Sequence, residues 1–181
     1  LIQDFLLYLK NEKQLSQNTI SAYQRDLQHF AQFQAETEIP FKGIQSHHVR
    51  QFVAHRHRAG TSGKSLQRGL SAIRMFYQYL LRTGVSKNNP ALGVATPKTP
   101  KKLPKTLDTD QVNQLLTSNQ GTWHELRDHA ILELFYSSGL RLSELSEASL
   151  NKLDRNDGTI RVIGKGSKAS HLSYLGDSSI G

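Results

Sequence analysis

Residues 62–84 read SGKSLQRGLSAIRMFYQYLLRTG. Placed about 100° apart, Leu66, Leu70, Ile73, Phe76, Tyr77 and Leu80 share one side of a helix. Lys64, Gln67, Arg68, Ser71, Arg74, Gln78 and Arg82 share the other. Thr61 or Ser62 opens the helix and Gly84 closes it. One wall is built for a core. The other is basic and amide-rich, and it lacks the glutamates that a plain solvated face carries. Arginine and glutamine can contact phosphates and can read base edges, so Lys64, Gln67, Arg68, Ser71, Arg74 and Gln78 are candidate nucleic-acid contacts.

The charge around this helix points the same way. Residues 1–88 hold 12 Lys/Arg against 5 Asp/Glu, residues 89–106 hold 4 against none, and residues 107–181 hold 7 against 10. Between Glu38 and Asp108 there are 13 basic residues and no acidic one. A surface made only for solubility mixes both signs. A long stretch without carboxylates suits a polyanion, where each phosphate contact adds salt-dependent affinity. A membrane surface fits less well, because no helix pairs its charge with a tryptophan-flanked apolar face.

The rest of the first half is helical. Ile2, Phe5, Leu6 and Leu9 keep helical spacing, and Ser16 caps a helix with Ile20, Tyr23, Leu27 and Phe30 on one stripe. Pro40 and Gly43 mark a turn. Ser46 is expected to cap a third helix carrying Val49, Phe52 and Val53 and ending at Gly60. That helix also carries His47, His48, Arg50, His55, Arg56, His57 and Arg58. The interleaved arginines speak against a metal site and for phosphate contact, so Arg56 and Arg58 join the candidates. Residues 88–106, NNPALGVATPKTPKKLPKT, hold four prolines and four lysines. They read as a stiff basic linker over 89–106, with Lys101 and Lys102 as further phosphate contacts. Domains of 1–88 and 107–181 lie on either side.

The second domain opens at Asp108 or Thr109 with Val112, Leu115 and Leu116 as its apolar face. A helix from about Glu125 to Ser138 is expected to bury Leu126, Ala130, Leu134 and Phe135 and to stop at Gly139. After Arg141 comes a short helix. Asp157-Gly158 then makes a turn, Thr159–Ile163 a strand, and residues 164–168 a second turn before a return strand. The chain has no cysteine, no apolar run of transmembrane length and no signal-peptide pattern, which makes a cytoplasmic protein the default. It begins at Leu1, so the natural N-terminus is expected to lie upstream.

Two tempting motifs fail. GKGSK at 164–168 lacks the spacing of a phosphate loop, and His124, Glu125 and His129 lack the i, i+4 histidine pair of a zinc helix. Arg141 at a helix start and Lys165 between two glycines remain. An arginine fork at a helix N-terminus suits a phosphate, and a lysine of lowered pKa can donate a proton. Each alone also fits a plain surface role, with Arg141 paired to Glu144.

In order along the chain, FLLYLKNEKQLSQNTISAYQRDLQHF, SLQRGLSAIRMFYQYLLRTGVSKNNPAL, PKTPKKLPKTLDTDQVNQLL, RDHAILELFYSSGLRLSEL and RVIGKGSK resemble the tyrosine site-specific recombinases of the Xer type. The resemblance implies a mainly α fold. A four-helix SAM-like core-binding domain would precede the start of a mixed α/β catalytic domain with a β-hairpin. It implies DNA strand exchange through a 3′-phosphotyrosyl link, with no metal or nucleotide cofactor. Arg141 matches the first catalytic arginine, Lys165 matches the hairpin lysine that protonates the 5′-oxygen, and Glu144 would orient Arg141. The implied partners are double-stranded DNA with a short, partly palindromic site, and a paralogous XerD-like recombinase in a heterotetramer. The implied role is chromosome dimer resolution at cell division.

The sequence also departs from that pattern. No H-x-x-R follows Lys165, and none of Tyr8, Tyr23, Tyr77, Tyr79, Tyr136 or Tyr174 matches the family nucleophile. Ser170 and Ser173 stand where the family usually has arginine and proline. The chain is therefore expected to be an N-terminal portion that binds DNA without cleaving it. A phage- or integron-type integrase and a non-enzymatic helical DNA-binding protein are the alternatives.

Overall fold

Four helices build the first unit: α1 (Ile2–Asn11), α2 (Gln17–Thr37), α3 (Ser46–Arg58) and α4 (Gly63–Arg82). The computed structural model describes residues 1–96, 106–117, 121–154, 156–163 and 169–173. The chain divides into two compact units, Leu1–Lys102 and Leu103–Gly181. Ser16 and Ser62 cap α2 and α4, each hydroxyl accepting the N–H three residues on. The third helix departs from expectation. Gln45 is its N-cap and Ser46 its first residue, because the Nδ1 of His48 reaches back to accept the Gln45 N–H.

The apolar wall of α4 is the core. Leu66, Leu70, Ile73, Phe76, Tyr77 and Leu80 are all buried. All but Leu66 join one cluster with Phe5 and Leu9 of α1, Leu27 and Phe30 of α2, and Val49, Phe52 and Val53 of α3. Each such side chain stabilises the unit by about 1.5–3 kcal/mol through burial. Phe76 lies among Phe5, Phe41 and Tyr77 at ring-centroid distances of 5.5, 5.3 and 5.7 Å. Tyr77 donates to the Phe41 carbonyl at 2.9 Å, and burial pushes its phenol well above the usual range.

The segment after α4 also differs from the expected linker. Gly84 takes a left-handed φ of +73° and turns the chain. Pro90, Ala91 and Val94 are then buried, the last two within the helical core. Residues 89–94 therefore belong to the first unit and are not linker. Proline content alone could not separate a stiff tether from a chain folded back on its own helix.

The second unit comprises α5 (Thr109–Leu116), α6 (Trp123–Ser138) and α7 (Leu142–Ser146), followed by β1 (Leu153–Asp154), β2 (Thr159–Ile163) and β3 (Ala169–Ser173). The strands form an antiparallel sheet in the order β1-β2-β3. Ile163 pairs with Ala169, and Thr159 with Ser173, so the return strand is where the sequence places it. β1 was not expected, since two residues carry no alternation. It is set by a turn in which the Asp154 Oδ1 accepts the N–H groups of Asn156 and Asp157 at 3.0 and 3.2 Å.

Among the described residues of this unit, Leu140, Ile160 and Val162 form the buried apolar core, with Leu134, Leu145 and Ala148 against them. Of the residues expected to be buried on α6, Leu134 and Phe135 are half-buried, but Leu126 and Ala130 are exposed. The helix is apolar on more than one side, so its sequence does not select the face that packs. On α5, Val112 and Leu116 are half-buried and Leu115 is 45% exposed.

Candidate nucleic-acid interface

On the basic wall of α4, the arginines are already engaged. Arg68 grips Asp26 of α2 with two hydrogen bonds, Nε to Oδ2 at 2.8 Å and Nη2 to Oδ1 at 3.1 Å. The Asp26 side chain is only 11% exposed, so this is a brace between helices more than a loose surface pair. Arg74 is half-buried and donates to two carbonyls, to Ala91 at 3.0 Å and to Val94 at 2.6 Å. Arg82 pairs with Glu12, the C-cap of α1, at 3.0 Å. A phosphate would have to displace a carboxylate from Arg68 and two carbonyls from Arg74. Arg74 thus holds the chain at Ala91 and Val94 against α4. Ser71 donates to the Gln67 carbonyl one turn back. Gln78 sits in a hollow with Tyr8, Lys13, Met75, Tyr79 and Arg82, about 21 Å along the helix axis from Lys64.

The uncommitted cations lie elsewhere. Arg50, Arg56 and Arg58 of α3 and Lys64 at the start of α4 make no ion pair among the described residues. Arg50, His57 and Arg58 surround a hollow of about 400 Å³ floored by Val53, Ala54 and Ala95. Arg56 faces the neighbouring crevice with Asp26, Thr61 and Ser65. A turn of four residues, 59–62, joins α3 to α4, so Arg58 and Lys64 flank one corner, with exposed Gln67 on the first turns of α4. Sequence periodicity favours α4 because its wall is long and clean. It cannot show that Asp26, 42 residues upstream of Arg68, had already claimed one of its charges. The signal for α3 was present, as a run of arginines free of carboxylate neighbours.

His48 belongs to the cap of α3, its ring 3.8 Å from that of His47 in the first turn. Among the described residues there is no group of three metal-ligating side chains. Glu125 caps α6, accepting the N–H groups of Thr122 at 2.7 Å and Gly121 at 3.0 Å, while a ring nitrogen of His129 contacts the Leu116 carbonyl. Both are thereby explained as structural.

Arg141 is the N-cap of α7. Glu144 accepts its backbone N–H at 2.8 Å and its Nη1 at 2.7 Å. The Glu144 side chain is 7% exposed and the Arg141 side chain 70%. One edge of the guanidinium is therefore held and the rest is open to an incoming anion. The Arg141 backbone N–H, and then its side chain, hold the Glu144 carboxyl below the usual range. A depressed pKa contributes stability that is present above the ordinary value of 4.5 and lost as pH falls through the folded value. Glu144→Gln should therefore flatten the acid limb of the second unit's stability profile below about pH 4.5. Melts followed by the fluorescence of Trp123, the single tryptophan, check this; equal acid limbs would refute it. Lys101, Lys102 and Lys165 lie outside the described residues.

Comparison with known proteins bears on this arrangement. Residues 2–84 match the phage integrase N-terminal SAM-like domain, and residues 105–178 match the phage integrase family. Tyrosine recombinase XerC of Pseudomonas savastanoi pv. phaseolicola is 46% identical over 170 residues, covering 93% of this chain and 57% of the relative. Tyrosine recombinase XerC of Xanthomonas axonopodis pv. citri is 44% identical over 178 residues, covering 92% and 58%. Among solved structures, a lambda integrase dimer bound to a COC′ core site gives a TM-score of 0.71 at 14% identity, covering 95% of this chain and 60% of that one. XerH bound to a palindromic difH substrate gives 0.65 at 16% identity, covering 95% and 53%. The chain thus spans little more than half the length of these relatives. The likeness to the solved structures is one of fold, and the sequence identity is spread over both units, so the chain belongs to the phage integrase family of tyrosine recombinases.

Proposed function

We propose that this chain is the DNA-binding part, with the first catalytic elements, of a XerC-like site-specific recombinase. The observation that carries the reading is 46% identity to a XerC over 93% of the chain, with Arg141 and Glu144 forming a held but open arginine fork. In the reaction, a tyrosine hydroxyl attacks a DNA phosphorus and forms the 3′-phosphotyrosyl bond as the bond to the 5′-oxygen breaks. Arg141 neutralises charge on the non-bridging oxygens, Glu144 keeps its fork in place, and Lys165 gives a proton to the departing 5′-oxygen. The site would be a dif-type sequence, shared with a XerD-like partner in the cytoplasm, and the outcome would be chromosome dimer resolution. Among the described residues no helix is long and apolar enough to cross a membrane.

The attacking tyrosine is not among the six of this chain. Tyr77 is wholly buried, with its hydroxyl committed to Phe41. The 181-residue chain should therefore retard duplex DNA yet form no covalent adduct with a nicked suicide substrate. Denaturing electrophoresis after incubation decides the matter. A DNA-linked peptide mapped to any tyrosine here would overturn the assignment, as would a failure to bind duplex DNA.

A further inference from the structure

We propose that Asp26 is an internal stand-in for phosphate, which holds Arg68 out of sequence-independent DNA contact and so lowers the chain's grip on arbitrary DNA. This rests on the DNA-binding reading above for its purpose, though not for its geometry. A guanidinium donates two parallel hydrogen bonds to a carboxylate or to a phosphate in the same way. Asp26 accepts both from Arg68, at 2.8 and 3.1 Å. Whichever anion holds that fork excludes the other. Arg68 shares its wall of α4 with exposed Lys64 and Gln67, in a stretch from Glu38 to Asp108 that has no acid of its own. Among the described residues, the one carboxylate lining the crevice beside it is brought in from α2. Gly69 is buried, and a Cβ there would stand 3.7 Å from the Asp26 carboxyl carbon, so the carboxylate lies against α4 itself. The Arg68 side chain is still 43% exposed, within reach of an incoming polyanion.

The lock can open without stranding a charge. Asp26 is mostly buried, and a buried carboxylate that loses its only cation is strongly destabilising. Arg56 of α3 lines the same crevice and makes no ion pair among the described residues. It keeps a cation beside Asp26 when Arg68 turns outward. Arg68 therefore moves only where a bound duplex sets a phosphate that suits the fork better than Asp26 does. Elsewhere the chain holds DNA with its unpaired cations alone. A duplex seated in register thus gains one contact that a duplex seated out of register does not, and the difference between them is specificity.

The test measures binding of the full chain to a random-sequence duplex by anisotropy, at a temperature where circular dichroism shows every variant folded. Asp26→Asn should bind about five- to tenfold more tightly than wild type at roughly 0.1 M salt, with a salt slope steeper by about 0.9, the value of one phosphate contact. Arg68→Gln alone should change affinity by less than about twofold, because its fork is already taken, and in that background Asp26→Asn should add nothing. Equal affinity and slope in a folded Asp26→Asn would overturn the proposal. So would a gain that persists without Arg68, since it would come from the general field of one lost carboxylate. A large loss on Arg68→Gln alone would overturn it too, by showing the fork already on DNA. Asp26→Ser, too short to hold the fork, repeats the comparison if the Asn variant is unfolded. A second arm needs no DNA. The Arg68 Nε–H, assigned by its loss in Arg68→Gln, should be protected from solvent exchange in the free chain and exposed in Asp26→Ser. Fast exchange in wild type would overturn the lock. If the wild type fails to bind duplex, the DNA-binding reading falls and the masking role with it, while the exchange arm still decides the lock.

Discussion

Replacing Arg50, Arg58 and Lys64 together by glutamate should weaken duplex binding by about 100- to 1000-fold at roughly 0.1 M salt, and the helical unit should stay folded. Each phosphate contact contributes about 0.9 to the slope of log K against log salt, so three lost contacts lower that slope by about 3. All three side chains are exposed and make no ion pair among the described residues, so reversing them removes no described ion pair. Arg58→Glu opposes the dipole at the end of α3, at a cost of about 0.3–1 kcal/mol, which Lys64→Glu at the start of α4 partly offsets. Anisotropy titrations from about 0.05 to 0.3 M salt measure both slope and affinity. An unchanged slope in a folded triple variant would place the interface on another surface. Reversing Arg68 and Arg74 is a poorer experiment. It would set a glutamate against Asp26 and strip the carbonyls of Ala91 and Val94 of their donor, confounding contact with collapse.

The second large effect is on the fold. Phe76→Ala should cost about 3–5 kcal/mol, against a total of roughly 5–15 kcal/mol for a domain of this size. Phe76 is fully buried, and its ring meets Phe5, Phe41 and Tyr77, which arrive from α1, the turn before α3, and α4 itself. No single neighbour can move in to fill the space without losing another contact. At about 4–8 °C per kcal/mol, the melting temperature should fall by at least about 12 °C, and DNA binding should be lost at the same temperature as the helical signal. Leu7→Ala on the outer face of α1, where the side chain is 56% exposed, should shift it by far less. Similar shifts for the two variants would show that the core is not centred on α4.

The six apolar positions of α4 were legible in the sequence because burial follows a period that the residues themselves carry. So was the cap at Ser16, and to within one residue those at Ser62 and Asp108, where a short polar side chain stands just before an apolar run. The state of Arg68 and Arg74 was not legible. A free arginine and a spent one have the same letter, and the partners lie 42 residues upstream in one case and 17 to 20 downstream in the other. α6 failed for a different reason. Trp123, Leu126, Leu132 and Tyr136 make it apolar on faces that no described residue buries, so the periodicity points nowhere. A pairing of Arg141 with Glu144 was one of the two roles open to the arginine in the sequence, and the pair is present. The asymmetry that matters, a buried carboxylate under an exposed guanidinium, is a property of packing and not of spacing.

The chain that doubles back from Gly84 to Val94 also bears on how the helical unit is made. A chain emerging from synthesis at about 5–20 residues per second completes α4 before it completes the unit. For another half-second to two seconds Arg74 waits for its carbonyls, and the flank that Pro90, Ala91 and Val94 will cover stays open to water. The core of the unit gains Val94 twelve residues after Arg82, the last residue of its last helix. Cutting the gene at Gly84 would yield four helices with an unclosed side; cutting after Lys102 would yield the whole unit.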